Sequence, residues 1–335
     1  MHDQLSALGF DVERTAELAQ LGSNLVPARV TRVDRGAVTV ATADNAELRL
    51  AADDLAVGDW IALDGTSVQA RLQRRSALVR NAGDTTRAAM AEEARVVAAN
   101  VDVVLVVRAL DMPVRPGRVQ QLVALAYASG ADVAFVLTKA DCHDHVARAI
   151  YEIELVAPGI SVLAVSAVTG DGINELVTLI HGRTFVLLGE SGAGKSTLVN
   201  RLAGEELLAT AEVQRGGAGR HTTTHRQLVV LEGVGVAIDT PGVRTAGFWG
   251  TAADVSKAFA DIEELATQCR FADCAHGSEP GCAVRGVAAP ERLEAYEHTL
   301  REQRALEVRL DPRLASERRK QRRTQARSYR RDSWR

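Results

Sequence analysis

The sequence predicts an α/β protein: a parallel sheet covered on both faces, set between an N-terminal β-barrel and a C-terminal helical segment. Three observations carry this. Short alternating or β-branched runs recur between residues 26 and 72, solid apolar runs alternate with helical stretches from about residue 84 to 250, and three of the four cysteines fall within residues 269–282. Alternation with regular turn signals marks a small antiparallel barrel. Continuous apolar runs between helices mark buried parallel strands. Clustered cysteines in a chain without a disulfide framework mark a metal site.

Residues 1–25 read as a short helical lead-in. Residues 26–80 hold five expected strands, at 26–33, 37–43, 47–50, 60–63 and 68–72, separated by Asp34-Arg35-Gly36, Asp44-Asn45 and Asp64-Gly65. Five strands of this size suggest an OB-fold, a frequent RNA-binding barrel, with a rigid spacer as the plainer alternative. Residues 81–250 alternate expected helices at 84–99, 115–129, 143–156, 172–181 and 195–203 with expected strands at 101–107, 133–137, 160–165, 185–188 and 234–238, and one more strand at 228–231. Residues 251–310 read as a helix at 252–268, the cysteine cluster, and a helix at 290–309 with Leu293, Tyr296 and Leu300 on one face. Residues 311–335 form a basic tail without an apolar stripe.

Composition narrows the class. Of the 335 residues 46% are hydrophobic, enough for a sizeable core, and no run of eighteen apolar residues offers a membrane span. The opening MHDQLSALGF has no basic start before an apolar run, so a cytoplasmic protein, monomeric and off the membrane, is expected. The net charge of −3 conceals an asymmetry: residues 301–335 carry 13 Lys and Arg against 5 Asp and Glu. An acidic body with a basic tail fits a polyanionic partner. Arg318, Arg319, Lys320, Arg322, Arg323, Arg327, Arg330, Arg331 and Arg335, interleaved with Tyr329 and Trp334, suit RNA phosphates and bases; a solubilising tail is the alternative.

GESGAGKST at 189–197 matches G-x-x-x-x-G-K-[ST] between an expected strand and an expected helix. Gly189, Glu190, Ser191, Gly192, Ala193 and Gly194 form the loop, whose backbone N–H groups turn onto phosphate oxygens at a helix N-terminus. Lys195 reaches the β- and γ-phosphates, Ser196 offers a hydroxyl to Mg²⁺, and Thr197 completes the motif.

Three further motifs select guanine. In TKAD (Thr138, Lys139, Ala140, Asp141), the Asp141 carboxylate can accept from the guanine N1–H and amine, an edge adenine lacks, while Lys139 lies along the base plane. In the SAVTG stretch, Ser166 and Ala167 place a backbone N–H toward guanine O6. In DTPG, Asp239 would hold Mg²⁺ through water and the Gly242 N–H would sense the γ-phosphate. All follow expected strands, at the sheet end where α/β folds bind ligands. The base-reading motifs precede the phosphate loop and DTPG follows it, whereas in the usual GTPase order the phosphate loop comes first, then DxxG, then the base-reading motifs. This is a circular permutation, tolerable because every motif sits on a loop at one sheet edge.

The permuted order, GRHTTT at 219–224, the barrel and the cysteine cluster together resemble the ribosome small-subunit-dependent GTPase A family (RsgA, also called YjeQ), from about residue 26 to 300. The resemblance implies an OB-fold, a permuted GTPase domain and a zinc-binding domain. It implies GTP and GDP as ligands, the small ribosomal subunit and its rRNA as partner, and slow hydrolysis stimulated by that subunit. His221 corresponds to the family's proposed catalytic histidine, with an exposed histidine contacting RNA as the alternative. Thr223, among Thr222, Thr223 and Thr224, is favoured to complete the Mg²⁺ shell. The position after DxxG, glutamine in most small GTPases, is Val243, which cannot order water, so intrinsic turnover is expected to be slow. Thr138 stands where most family members have asparagine.

Cys269, Cys274, His276 and Cys282 read as C-x4-C-x-H-x5-C, a ligand set for a closed, structural Zn²⁺. Unpaired cysteines beside an incidental histidine are the plainer reading, and His298 is a rival ligand. The functional expectation is a GTPase of small-subunit maturation; the alternative is a non-catalytic, GTP-sensing rRNA-binding protein.

Overall fold

The computed structural model describes residues 3–34, 36–44, 46–52, 54–80, 95–112, 116–208, 226–239 and 252–310. The lead-in is two helices, α1 (Asp3–Ala7) and α2 (Val12–Leu21), the second capped where Asp11 accepts the Arg14 N–H at 3.0 Å. Leu5 and Leu8 are buried, and the Phe10 ring lies 4.9 Å from Trp60.

Five antiparallel strands follow: β1 (Val26–Asp34), β2 (Ala37–Thr42), β3 (Glu47–Leu50), β4 (Trp60–Asp64) and β5 (Ser67–Arg71). They pair in the order β5-β4-β1-β2-β3 and curl around one core of Val30, Val38, Val40, Leu50, Ile61 and Leu63. Strand β2 alternates between buried and half-buried positions, the period-two signature seen in its sequence.

The helix expected over 84–99 is overturned at its C-terminal end. Residues 95–99 are a strand, β7 (Arg95–Ala99), paired antiparallel with β6 (Ala77–Arg80), which the sequence reading lacked. Alanine-rich composition favours helix locally. Here tertiary pairing wins: Val97, Ala98 and Ala99 are fully buried, and the Ala99 N–H donates to the Val57 carbonyl at 2.9 Å.

The parallel sheet is as expected. Its strands β8 (Val103–Ala109), β9 (Asp132–Thr138), β10 (Ser161–Ala164), β11 (Arg183–Leu188) and β13 (Gly235–Asp239) run parallel, and β12 (Arg226–Leu231) runs antiparallel beside β13. The order is β10-β9-β8-β11-β13-β12. Every residue of β8 is buried because both faces are covered. On one face Val104, Val106 and Phe135 share a core with Val119 and Val123 of α3 (Pro116–Tyr127) and Ile153 of α4 (Val146–Val156). On the other, Leu105, Phe185 and Leu187 share a core with Leu176 of α5 (Ile173–Ile180) and Leu198 of α6 (Lys195–Ala203).

Strand β1 fuses the two sheets. Its first half pairs β4, while Arg32 and Val33 pair Gln227 and Arg226 of β12. Arg29, buried on β1, reinforces the joint by donating to the Thr184 hydroxyl at 3.0 Å and the Asn100 carbonyl at 3.3 Å.

The helix expected over 252–268 is broken into α7 (Ala252–Ala258) and α8 (Ala260–Ala266). Phe259 leaves helical geometry (φ −126°, ψ 36°), and its fully buried ring lies 5.4 Å from that of Tyr296 on α9 (Pro290–Leu310). Tertiary burial of one aromatic ring has outweighed helix continuity. Arg292 then ties α9 down: it clamps Asp261 through two hydrogen bonds and donates to the Val156 carbonyl at 2.8 Å. Ala124 and Tyr127 of α3 join this helical core, so the C-terminal segment packs directly on the parallel sheet's own helix. Among the described residues no helix is long and apolar enough to cross a membrane.

Candidate nucleotide site and metal centre

The C-terminal ends of β8, β9, β10, β11 and β13 lie along one edge of the sheet; TKAD, SAVTG and the phosphate loop follow β9, β10 and β11, and Asp239 ends β13. The phosphate loop leaves β11 and enters α6 with Gly194 as N-cap at φ 79°, a left-handed conformation that suits glycine. A Cβ on Gly189 would lie 2.2 Å from the Val107 carbonyl, so only glycine lets the loop pass this close to β8. Lys195, the first residue of α6, donates through Nζ to the Gly189 and Glu190 carbonyls at 2.8 and 2.7 Å. Its ammonium is therefore held within the loop. Glu190 lies 3.7 Å from Arg118 on α3. Ala193 is buried, whereas Ser191, Gly192 and Thr197 are exposed and Ser196 is half-buried.

Asp239 ends β13, the strand beside β11. Burial pushes its carboxyl up, and the nearby Lys195 charge opposes that shift. A half-buried acid near the phosphate-loop lysine is suited to a cation that would restore its ionised form.

The TKAD loop leaves β9. Thr138 is buried, and its hydroxyl donates to the Ala193 carbonyl at 2.8 Å. The threonine thus ties this loop to the phosphate loop. Replacing Thr138 with valine is expected to weaken GTP binding by about fivefold, from the loss of ~1 kcal/mol of hydrogen bonding. Titration with a fluorescent guanine nucleotide checks it, with melting temperature as the folding control. Lys139 adopts φ 61° and pairs with Asp111 at 2.7 Å, and Ala140 opens a short 3-10 turn.

Asp141 accepts from the Ser166 hydroxyl at 2.5 Å and from the Cys142 thiol at 3.2 Å. The Ser166 bond holds its carboxyl below the usual range, so it stays an ionised acceptor at neutral pH. Ser166 is fully buried and also accepts the Val168 and Thr169 N–H groups at 3.2 and 3.0 Å. It therefore shapes the loop carrying half-buried Ala167 and orients Asp141. That role was not visible in sequence, because it links two loops 25 residues apart. His221, Thr223 and Gly242, with Thr222, Thr224, Val243 and the basic tail, lie outside the described residues.

The candidate metal centre draws together all four predicted ligands. Their ligand atoms lie within 4.8 Å of one another. The Cys269 and Cys282 sulfurs are 4.0 Å apart, and His276 Nδ1 lies 3.7 and 3.6 Å from them. A tetrahedral ion with sulfur at about 2.3 Å and nitrogen at about 2.0 Å spaces its ligands at about 3.5–3.8 Å, so the set fits. Backbone N–H groups of Ala283 and Arg285 donate to the Cys269 and Cys282 sulfurs, both at 3.3 Å. The Arg285 bond helps bring the Cys282 thiol down to about 7, toward the thiolate a metal needs. His298 takes no part: it lies 3.2 Å from Gln121 and 3.9 Å from Glu302.

An open parallel sheet with a phosphate loop on β11 and base-reading loops on the earlier β9 and β10 defines a circularly permuted P-loop GTPase. The family described as RsgA GTPase matches residues 71–249. The small ribosomal subunit biogenesis GTPase RsgA of Streptomyces avermitilis is 42% identical over 92% of this chain and 88% of its own. That of Syntrophotalea carbinolica is 42% identical over 82% of each chain. The chain belongs to the RsgA GTPase family. Two solved structures share its fold: YjeQ from Thermotoga maritima (TM-score 0.61, 24% identity, covering 83% of this chain and 98% of that one), and YloQ, a circularly permuted GTPase (TM-score 0.57, 17% identity, 84% and 96%).

Proposed function

We propose that this GTPase acts on the small ribosomal subunit during its assembly, hydrolysing GTP slowly alone and faster when bound to the subunit. The observation that carries this is the meeting of TKAD, SAVTG, the phosphate loop and Asp239 at one sheet edge in a chain whose relatives are named for small-subunit biogenesis. In this reading Asp141 selects guanine, Lys139 covers the base, and the Ala167 N–H meets O6. Residues 189–197 and the Gly242 N–H hold the phosphates, with Lys195 neutralising developing charge. Ser196, Thr223 and Asp239 serve Mg²⁺, and His221 orders the attacking water. Cys269, Cys274, His276 and Cys282 hold a structural zinc. Residues 26–80, 81–250 and 251–310 are the barrel, GTPase and zinc-binding units, and the barrel and the tail 311–335 contact rRNA in the cytoplasm.

Co-sedimentation with purified small subunits tests the partner. Binding should be stronger with a non-hydrolysable GTP analogue than with GDP, and should weaken as salt rises. Equal, salt-insensitive retention with either nucleotide would count against it. Val243 favours a second reading, a GTP sensor without turnover, because valine at the position after DxxG cannot order water.

A further inference from the structure

We propose that Asp111 is a positioning residue for guanine binding: it holds Lys139 along the base plane and keeps that lysine off Asp141. The inference rests on the guanine-site reading above and adds a residue outside the motifs that define it.

Lysine and aspartate stand two residues apart in TKAD. An ammonium on a flexible stem beside the Asp141 carboxylate can pair with it and mask the oxygens that read guanine. The structure shows a different arrangement. Lys139 Nζ lies 2.7 Å from Asp111 Oδ2, while the Asp141 oxygens accept from Ser166 and Cys142. Asp111 lies in the loop leaving β8, the strand beside β9, and this loop is fixed to the TKAD loop. Ala109 is in register with Thr138, the Leu110 N–H donates to the Thr138 carbonyl at 3.0 Å, and the Thr138 hydroxyl lies 3.3 Å from the Arg108 carbonyl. Carboxylate and ammonium therefore rise from two segments that cannot drift apart. Lys139 itself takes a left-handed backbone, φ 61°, unusual for a residue with a side chain, and this sets the direction in which its stem leaves the strand.

Two effects follow. A long lysine stem loses rotamer freedom when it is laid along a base, and a partner that fixes it beforehand removes part of that loss from binding. The Asp111 charge also leaves Asp141 as a carboxylate open to the base. Both effects act through Lys139 and on the base. Losing Asp111 should therefore weaken GTP and GDP binding equally, and should have no effect when Lys139 is absent. Since Lys139 and Asp111 are partly exposed, at 36% and 45%, the effect is a factor of a few rather than a loss of function.

The test is a double-mutant cycle on the full chain, with dissociation constants measured for fluorescent GDP and a GTP analogue. Asp111→Asn should raise both constants by about three- to fivefold. Asp111→Glu, which keeps the charge, should restore most of the affinity. In a Lys139→Ala background Asp111→Asn should change nothing further. An unchanged affinity in Asp111→Asn, or an equal loss in the Lys139→Ala background, overturns the proposal while leaving guanine recognition intact. Displacement of the probe from the parent protein by ADP as readily as by GDP overturns the guanine-site reading itself, and this proposal with it.

Discussion

Replacing Lys195 with alanine should weaken GTP binding by about 100-fold or more, equivalent to at least ~2.7 kcal/mol. The lysine is the first residue of α6, and its ammonium sits on the Gly189 and Glu190 carbonyls. It is thus held within the loop proposed to take the phosphates. A charge-assisted contact to a phosphate oxygen is among the strongest a side chain makes. The fold should tolerate the change, because the helix face that packs on the sheet is carried by Leu198, Val199 and Leu202. Equilibrium titration with a fluorescent GTP analogue reads the effect, and an unchanged melting temperature separates it from unfolding. A loss below about threefold would mean that the loop does not hold phosphate through Lys195.

The second large effect concerns the metal centre. Replacing Cys282 with serine, or stripping the metal with a chelator, should unfold the segment that follows α8 and leave the sheet standing. The reason is scale. The C-terminal core is built on Val255, Ala258, Phe259, Ile262, Val284, Ala295 and Tyr296, with half-buried Leu265, Leu293 and Leu300 and a few α3 side chains, and the loop between α8 and α9 has no strand or helix of its own. Binding at a structural zinc site supplies on the order of 10 kcal/mol of folding free energy, more than so small a core can replace. Amide exchange should then lose protection across residues 268–290 and keep it across 183–203. Retained protection in both regions after metal loss is verified would show that the cluster is not what holds the loop.

Much of this architecture was legible in sequence, for physical reasons. The parallel strands are buried on both faces, so they read as unbroken apolar runs. Barrel strands such as β2 are buried on one face, so they alternate. The phosphate loop and the cysteine cluster were legible because their chemistry fixes residue types at short spacing. What escaped depends on contacts far apart in the chain. Strands β6 and β7 exist because they pair with each other, against a local composition that favours helix. The break at Phe259 follows from burial against Tyr296 and Arg292. Arg29, Arg292, Ser166 and Asp111 each act through polar contacts to distant segments, and such contacts leave no period or spacing to find.

Phosphate release under multiple turnover, with GTP in excess and with or without purified small ribosomal subunits, bears most directly on the central claim that this site hydrolyses GTP in response to the subunit. The protein alone should release phosphate slowly. Subunits should raise the rate by at least about tenfold, a modest share of what a partner can supply to phosphoryl transfer. His221→Ala should keep its nucleotide affinity and lose the stimulation. No release of phosphate above the protein-free and subunit-only controls, with GTP still bound in both conditions, would contradict the account and make the protein a sensor of GTP rather than an enzyme that consumes it.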